Sequence, residues 1–193
     1  DAAFDLGMLK QNWLRKLVLA GERGLMKRFD RVTSISHRML ARLRDKGVPA
    51  DRIGFFPNWV DTNAIRPLKR GSALRASLGV AADTPVLLYA GNMGEKQGLE
   101  VIVEVARAYE GRENALFVLC GDGAARPRIE QAAAGLSNVR FIPLQPLEHL
   151  NELMNLADIH LLPQRRDAEG LVMPSKLTAN MASGRPVVGG AGG

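Results

Sequence analysis

From about residue 72 onward, short and almost wholly apolar runs alternate with longer segments whose apolar positions recur every three or four residues. The runs at 85–90, 115–120, 138–142, 158–162 and 186–188 carry no polar alternation, as expected of strands buried on both faces. Between them the 3.6-residue pattern predicts helices over 97–110, 125–134, 147–156 and 175–182, with a short helix over 73–78 ahead of the first strand. This alternation predicts right-handed βαβ units and a Rossmann-like, doubly wound parallel sheet of the α/β class. In such sheets ligands bind beyond the carboxyl ends of the strands.

The N-terminal part reads differently. Residues 8–28 predict one helix, with Leu14, Leu17, Val18, Gly21, Leu25 and Phe29 on or near one face. Lys10, Arg15, Lys16, Arg23, Lys27 and Arg28 spread round the other sides, so the helix suits a membrane surface or packing onto a domain. Arg31–Ser36 and Arg52–Pro57 predict short strands. Ser36 is placed to cap a helix carrying Met39, Leu40 and Leu43, which Gly47-Val48-Pro49 ends. The stretches Asn58–Asp61 and Pro67–Gly71 read as linker or turn. The final strand runs into glycines with nothing to cap it, and strand 31–35 has no partner before it, so both ends are expected to be cut.

Charge sharpens the division. Residues 1–80 hold 16 Lys+Arg against 7 Asp+Glu, whereas 81–193 hold 10 against 13. The basic half lacks the interleaved aromatic platform of single-strand binders, so nucleic acid is not expected as a partner. An anionic membrane surface suits it better. No apolar run reaches a bilayer span and no secretory leader is read, so a cytoplasmic chain is expected. The single cysteine, Cys120, excludes an intrachain disulfide and reads as a small buried side chain. His37, His149 and His160 show no metal-ligand spacing, and no Gly-x-Ser-x-Gly elbow is present. Neither metal nor hydrolytic chemistry is expected.

Candidate chemistry collects at four strand ends. Gly91-Asn92-Met93-Gly94-Glu95-Lys96-Gln97-Gly98 joins a strand to a helix. A bare-backbone turn there brings a phosphate close to unpaired N–H groups and the positive end of a helix dipole. Its G-x-x-G-x-x-x-G spacing is neither the dinucleotide fingerprint nor the P-loop. Lys96 is the nearby cation for a diphosphate. Gly121-Asp122-Gly123 follows the second strand, and Asp122 suits either a ligand hydroxyl or a helix cap. Main-chain groups near Ile142 are candidates to pair with a base edge. Finally, Pro174-Ser175-Lys176 opens a helix, with Ser175 near the cap and Lys176 in the first turn, where a cation opposes the dipole. An anion held there would account for that lysine.

Three stretches together resemble the sugar-nucleotide-binding half of the family 4, GT-B-fold (group 1) glycosyltransferases, closest to their colanic-acid and exopolysaccharide branch. They are Phe56-Pro-Asn-Trp-Val-Asp61, Tyr89-Ala-Gly-Asn-Met-Gly-Glu-Lys-Gln-Gly98, and Met173-Pro-Ser-Lys-Leu followed by Met181-Ala-Ser-Gly-Arg-Pro-Val-Val188. The resemblance implies that residues 1–65 are the tail of an N-terminal acceptor-side domain plus linker. Residues 66–193 would be the nucleotide-sugar-binding domain, incomplete at its C-terminus. It implies transfer from a nucleotide-diphospho-sugar donor to a polysaccharide or lipid-linked acceptor, with retention at the anomeric carbon and without a metal in the donor site. The implied donor contacts are Gly91, Asn92, Gly94, Lys96, Gln97, Gly121, Asp122, Ile142, Leu171, Ser175 and Lys176. The family's arginine and lysine in the first loop are here Asn92 and Gln97, and its two glutamates are here Leu171 and Ala179. Lys176 is then the residue placed to take over the diphosphate charge. Catalytic residues are expected outside this chain. A nucleotide-sugar epimerase of the same fold, or a non-catalytic nucleotide-binding or membrane-docking module, is the alternative.

Overall fold

The computed structural model describes residues 12–69, 73–111, 114–164 and 174–190, which form two compact units. The first runs to Trp59 and takes in Pro174; the second holds Val60 onward and the residues from Ser175.

In the first unit, helix α1 (Asn12–Met26) precedes strand β1 (Val32–Ser34), helix α2 (His37–Asp45) and strand β2 (Ile53–Phe55). The strands pair in parallel, Val32 opposite Ile53, so β1–α2–β2 is one βαβ unit. Ser36 caps α2 as expected, its Oγ accepting from the Met39 N–H at 3.2 Å. Leu40, Leu43 and Val48 form a small core with Met26 of α1. Several other apolar residues of α1 are exposed: Trp13 is 66% exposed and Leu17 63%, with Val18 and Leu25 also open. Residues 8–11 of the expected helix lie outside the described residues.

The second unit holds helix α3 (Ala73–Ser77), strand β3 (Val86–Ala90), helix α4 (Glu100–Tyr109), strand β4 (Leu116–Cys120) and helix α5 (Arg126–Ala132). Strand β5 (Val139–Ile142), helix α6 (Leu150–Leu156), strand β6 (Ile159–Leu162), helix α7 (Lys176–Ala182) and strand β7 (Val187–Gly189) follow. The five strands β3–β7 are all parallel, in the order β5-β4-β3-β6-β7.

Why these apolar runs make this sheet is visible in the alternation of their side chains. Tyr89, Phe117 and Leu119 enter one core with Ile102, Val103 and Ile129 of α4 and α5. Val86, Leu88, Leu116, Val118 and Cys120 enter the other with Leu153 and Leu156 of α6. Each such side chain contributes about 1.5–3 kcal/mol on burial, so both faces must be covered. Right-handed crossovers meet that need: chain moving from β3 toward β5 puts its helices on one face, and chain returning to β6 and β7 puts them on the other.

The boundary between the units falls at Val60, ahead of the expected 65. Ile65 is buried in the second unit's core, with Val60 packed against it. Asn155 fixes the following segment, accepting from the Leu68 N–H at 2.7 Å and donating to the Arg66 carbonyl at 2.9 Å. Arg66 and Leu68 are therefore held by the second unit's own helix. At the amino ends of β3 and β6, buried Arg75 pairs with Asp158 at 3.4 Å and donates to the Thr84 carbonyl.

Candidate functional site

The strand order reverses between β3 and β6, which lie side by side with Leu87 opposite Ile159. In a doubly wound sheet this reversal opens a crevice at the carboxyl ends of the two strands, because their connections leave to opposite faces. The turn beginning at Gly91 leaves β3 at that point, and the segment that ends in α7 leaves β6. Topology thus brings Gly91 and Lys176 together, although 85 residues separate them.

Lys176 lies directly over Gly91, and a Cβ at Gly91 would overlap its Cε. Its ammonium donates to the Tyr89 hydroxyl at 2.7 Å and stands 4.3 Å from the Tyr89 ring centroid, a cation–π contact. The Tyr89 hydroxyl in turn donates to the Asn92 carbonyl at 2.6 Å. Among the described residues no carboxylate pairs with Lys176. Burial lowers its ammonium to about 8. An unfolded chain keeps that proton to about 10.4. Between these values the unfolded state binds more protons, so this group favours the fold more as pH rises. Below pH 8 the buried charge works against stability, as expected of a group held for binding rather than for folding.

The glycine turns do other work than expected. A Cβ at Gly121 would overlap the Gly91 carbonyl oxygen, and one at Gly123 would crowd the Met93 carbonyl. The two turns are laced together: the Gly91 N–H donates to Cys120 at 2.8 Å, Met93 to Asp122 at 2.7 Å, and Ala125 back to Met93 at 2.9 Å. At Gly121 and Gly123 the space left by the missing side chains is filled by the neighbouring turn. The turn at Gly91 does not run straight into a helix. A 3-10 turn, Glu95–Gln97, and left-handed Gly98 intervene before α4, and Glu100 in the first turn already meets the dipole. Glu95 and Glu100 both pair with Arg128. The turn still offers an anion several N–H groups, those of Asn92 and Gly94 among them, that take no hydrogen bond among the described residues.

The other expected positions divide. Asn92 and Gln97 flank Gly94, with Gln97 Oε1 buried and without a hydrogen-bond partner among the described residues. Asp122 does not cap α5; its Oδ1 accepts from the adjacent Gly123 N–H at 2.7 Å and the side chain is exposed. The Ile142 carbonyl is already taken by the Gly121 N–H at 3.2 Å, because β5 continues its ladder one step further. Ser175 stands at the N-cap of α7, but its side chain makes no capping bond. Leu171 and the Lys96 side chain lie outside the described residues. Ala179 packs against the core.

Cys120 and His160 are structural. Burial raises the Cys120 thiol, which donates to the Pro143 carbonyl at 3.3 Å. His160 is buried against Ser183 Oγ at 3.0 Å, and burial lowers it to about 4. Among the described residues no three His, Cys, Asp or Glu side chains come together as metal ligands. No described helix is long and apolar enough to cross a membrane. Tyr89, the residue that seats Lys176, was not singled out by motif. Its signal is a polar-tipped aromatic in an otherwise aliphatic strand, two residues before a glycine.

This crevice can be set beside known proteins. The family model described as "Glycosyl transferases group 1" matches residues 84–193, covering every strand of the five-stranded sheet. The chain belongs to the group 1 glycosyl transferases. A second model, "Glycosyl transferase 4-like domain", matches residues 1–59 of this glycosyl transferase. Its sequence is 37% identical over 191 residues to the putative colanic acid biosynthesis glycosyl transferase WcaI of Escherichia coli, covering 95% of this chain and 47% of that protein. Its fold matches sucrose-phosphate synthase from Thermosynechococcus elongatus with a TM-score of 0.73 at 23% identity, over 98% of this chain and 48% of that one. It also matches Anabaena Alr3699/HepE, solved in complex with UDP-glucose, with a TM-score of 0.71 at 21% identity, over 89% and 48% respectively. The architecture is that of the GT-B glycosyltransferases. The chain spans about half the length of the relatives it matches.

Proposed function

We propose that the full-length protein transfers a sugar from a nucleotide-diphospho-sugar to a saccharide or lipid-linked acceptor, in exopolysaccharide assembly, and that the β3–β6 crevice receives the donor. The observation that carries this is the Lys176 ammonium seated over Gly91 at the switch point. Departure of the nucleotide leaves charge on the diphosphate. A fixed ammonium and the open N–H groups of Asn92 and Gly94 stabilise that charge without a metal or a resident cofactor. UDP-glucose in Alr3699/HepE and the name of the E. coli relative support a transferase over an epimerase. Catalytic groups on the acceptor side would come from residues outside this chain.

Isothermal calorimetry of the full-length protein with UDP, GDP and ADP tests the reading. At least one is expected to bind, and most tightly below pH 8, where Lys176 keeps its proton. Above that pH the affinity falls by up to about tenfold per unit. No binding by any of the three would contradict it.

The reading places the enzyme in the cytoplasm, with peripheral contact at the inner face of the membrane through α1. Trp13, Leu17, Gly21 and Leu25 recur at i+4 along this helix and are exposed, with Lys16, Arg23 and Lys27 along one side of the stripe. That pattern suits the interface of an anionic bilayer. Sedimentation with phosphatidylglycerol vesicles is expected to fall sharply when Lys16, Arg23 and Lys27 are changed to Gln. Unchanged sedimentation removes the membrane contact from the account.

A further inference from the structure

A lysine has four side-chain torsions, so a useful ammonium has to be ordered either by its ligand or by the protein. Here the protein does it. The Tyr89 hydroxyl has one proton, and that proton is committed to the Asn92 carbonyl at 2.6 Å. Only its lone pairs remain for Lys176, so the 2.7 Å bond between them has a fixed direction, from ammonium to phenol oxygen. The ring face stands 4.3 Å from the ammonium on one side, and Gly91, without a side chain, makes room for the lysine stem on another. Tyr89 itself is 1% exposed and set in the core between β3 and α4. Burial raises its phenol further above its ordinary range, so it stays protonated and serves to orient, not to carry a proton.

We infer that Tyr89 is a positioning residue of the donor site: its hydroxyl and ring, with the bare backbone of Gly91, form a seat that holds the Lys176 ammonium at the switch point before a donor arrives. The inference rests on the donor reading of the crevice. It also gives the first glycine of the turn a specific purpose. Gly91 accommodates the lysine stem rather than the phosphate. Because one O–H joins the seat to the Asn92 carbonyl, the ammonium and the turn that carries the open Asn92 and Gly94 N–H groups are oriented together. Ordering done during folding does not have to be met by the donor's binding energy.

The test follows the titration of Lys176 by carbon-13 NMR in the full-length protein with labelled lysine, the signal assigned by its loss in Lys176→Met. The wild type is expected to titrate near 8. In Tyr89→Phe the ammonium has lost its acceptor and is expected to move into water, so its titration rises toward the ordinary lysine value of about 10.4. Affinity for the nucleoside diphosphate that binds the wild type (UDP, GDP or ADP) is expected to fall roughly three- to tenfold at pH 7.5, the cost of ordering one long side chain. Gly91→Ala approaches the seat from the backbone and is expected to shift the titration the same way. Lys176 titrating at the wild-type value in both variants, with unchanged affinity, overturns the seat while leaving the donor reading standing. If the titration shifts as described but the wild type binds none of the three nucleotides, the donor reading fails and the seat remains.

Discussion

Changing Lys176 to methionine is expected to weaken nucleoside diphosphate binding by about 100-fold and to abolish its dependence on pH above 8. The magnitude follows from removing one partner of a partly buried, hydrogen-bonded charge pair, which costs about 3 kcal/mol. A factor of ten corresponds to about 1.4 kcal/mol. Methionine keeps an unbranched stem over Gly91 and against the Tyr89 ring, so packing is retained while the buried charge is gone. The variant without ligand should therefore melt at or above the wild-type temperature. Weaker binding with equal or greater stability is the signature of a residue kept for its ligand. Affinity within threefold of wild type would show that the diphosphate does not reach Lys176.

The second large effect is on folding. Gly121→Ala is expected to destabilise the protein by at least about 3 kcal/mol, measured by urea unfolding. Gly121 has a φ of 147°, outside the range of other residues, and an added Cβ would overlap the Gly91 carbonyl oxygen. Neither turn has room to withdraw: the Gly91 N–H is bonded to Cys120 and the Gly121 N–H to Ile142. Gly135→Ala supplies the comparison. Its φ is 87°, but nothing lies within 4 Å of the added carbon. It should show only the conformational term, about 1 kcal/mol. Equal losses at the two positions would mean that the contact between the turns contributes nothing.

The layered fold was legible because apolar runs and 3.6-residue periods are local properties of the chain. Every strand expected in the C-terminal part is present, and each expected helix there forms to within a few residues. The boundary near residue 65 was not legible, because it is set by partners far along the chain. Asn151 and Asn155 look like ordinary polar positions on a helix until they are seen bonded to residues 66 and 68. The site shows the same divide. Gly91 and Lys176 each stood out, one as a bare turn and the other as a cation at the wrong end of a helix. Their meeting depends on the reversal of strand order between β3 and β6, which no local pattern records. What the glycines make room for was hidden for a related reason. A glycine signals that something comes close to the backbone, and only the structure shows that at Gly121 it is the neighbouring turn.

A structure of the full-length protein with the nucleoside diphosphate it binds tests the central claim most directly. The account predicts a diphosphate oxygen within hydrogen-bonding distance of Lys176 Nζ, at the carboxyl ends of β3 and β6 and beside the Asn92 and Gly94 N–H groups. A diphosphate bound elsewhere, with Lys176 turned away from it, would contradict the account.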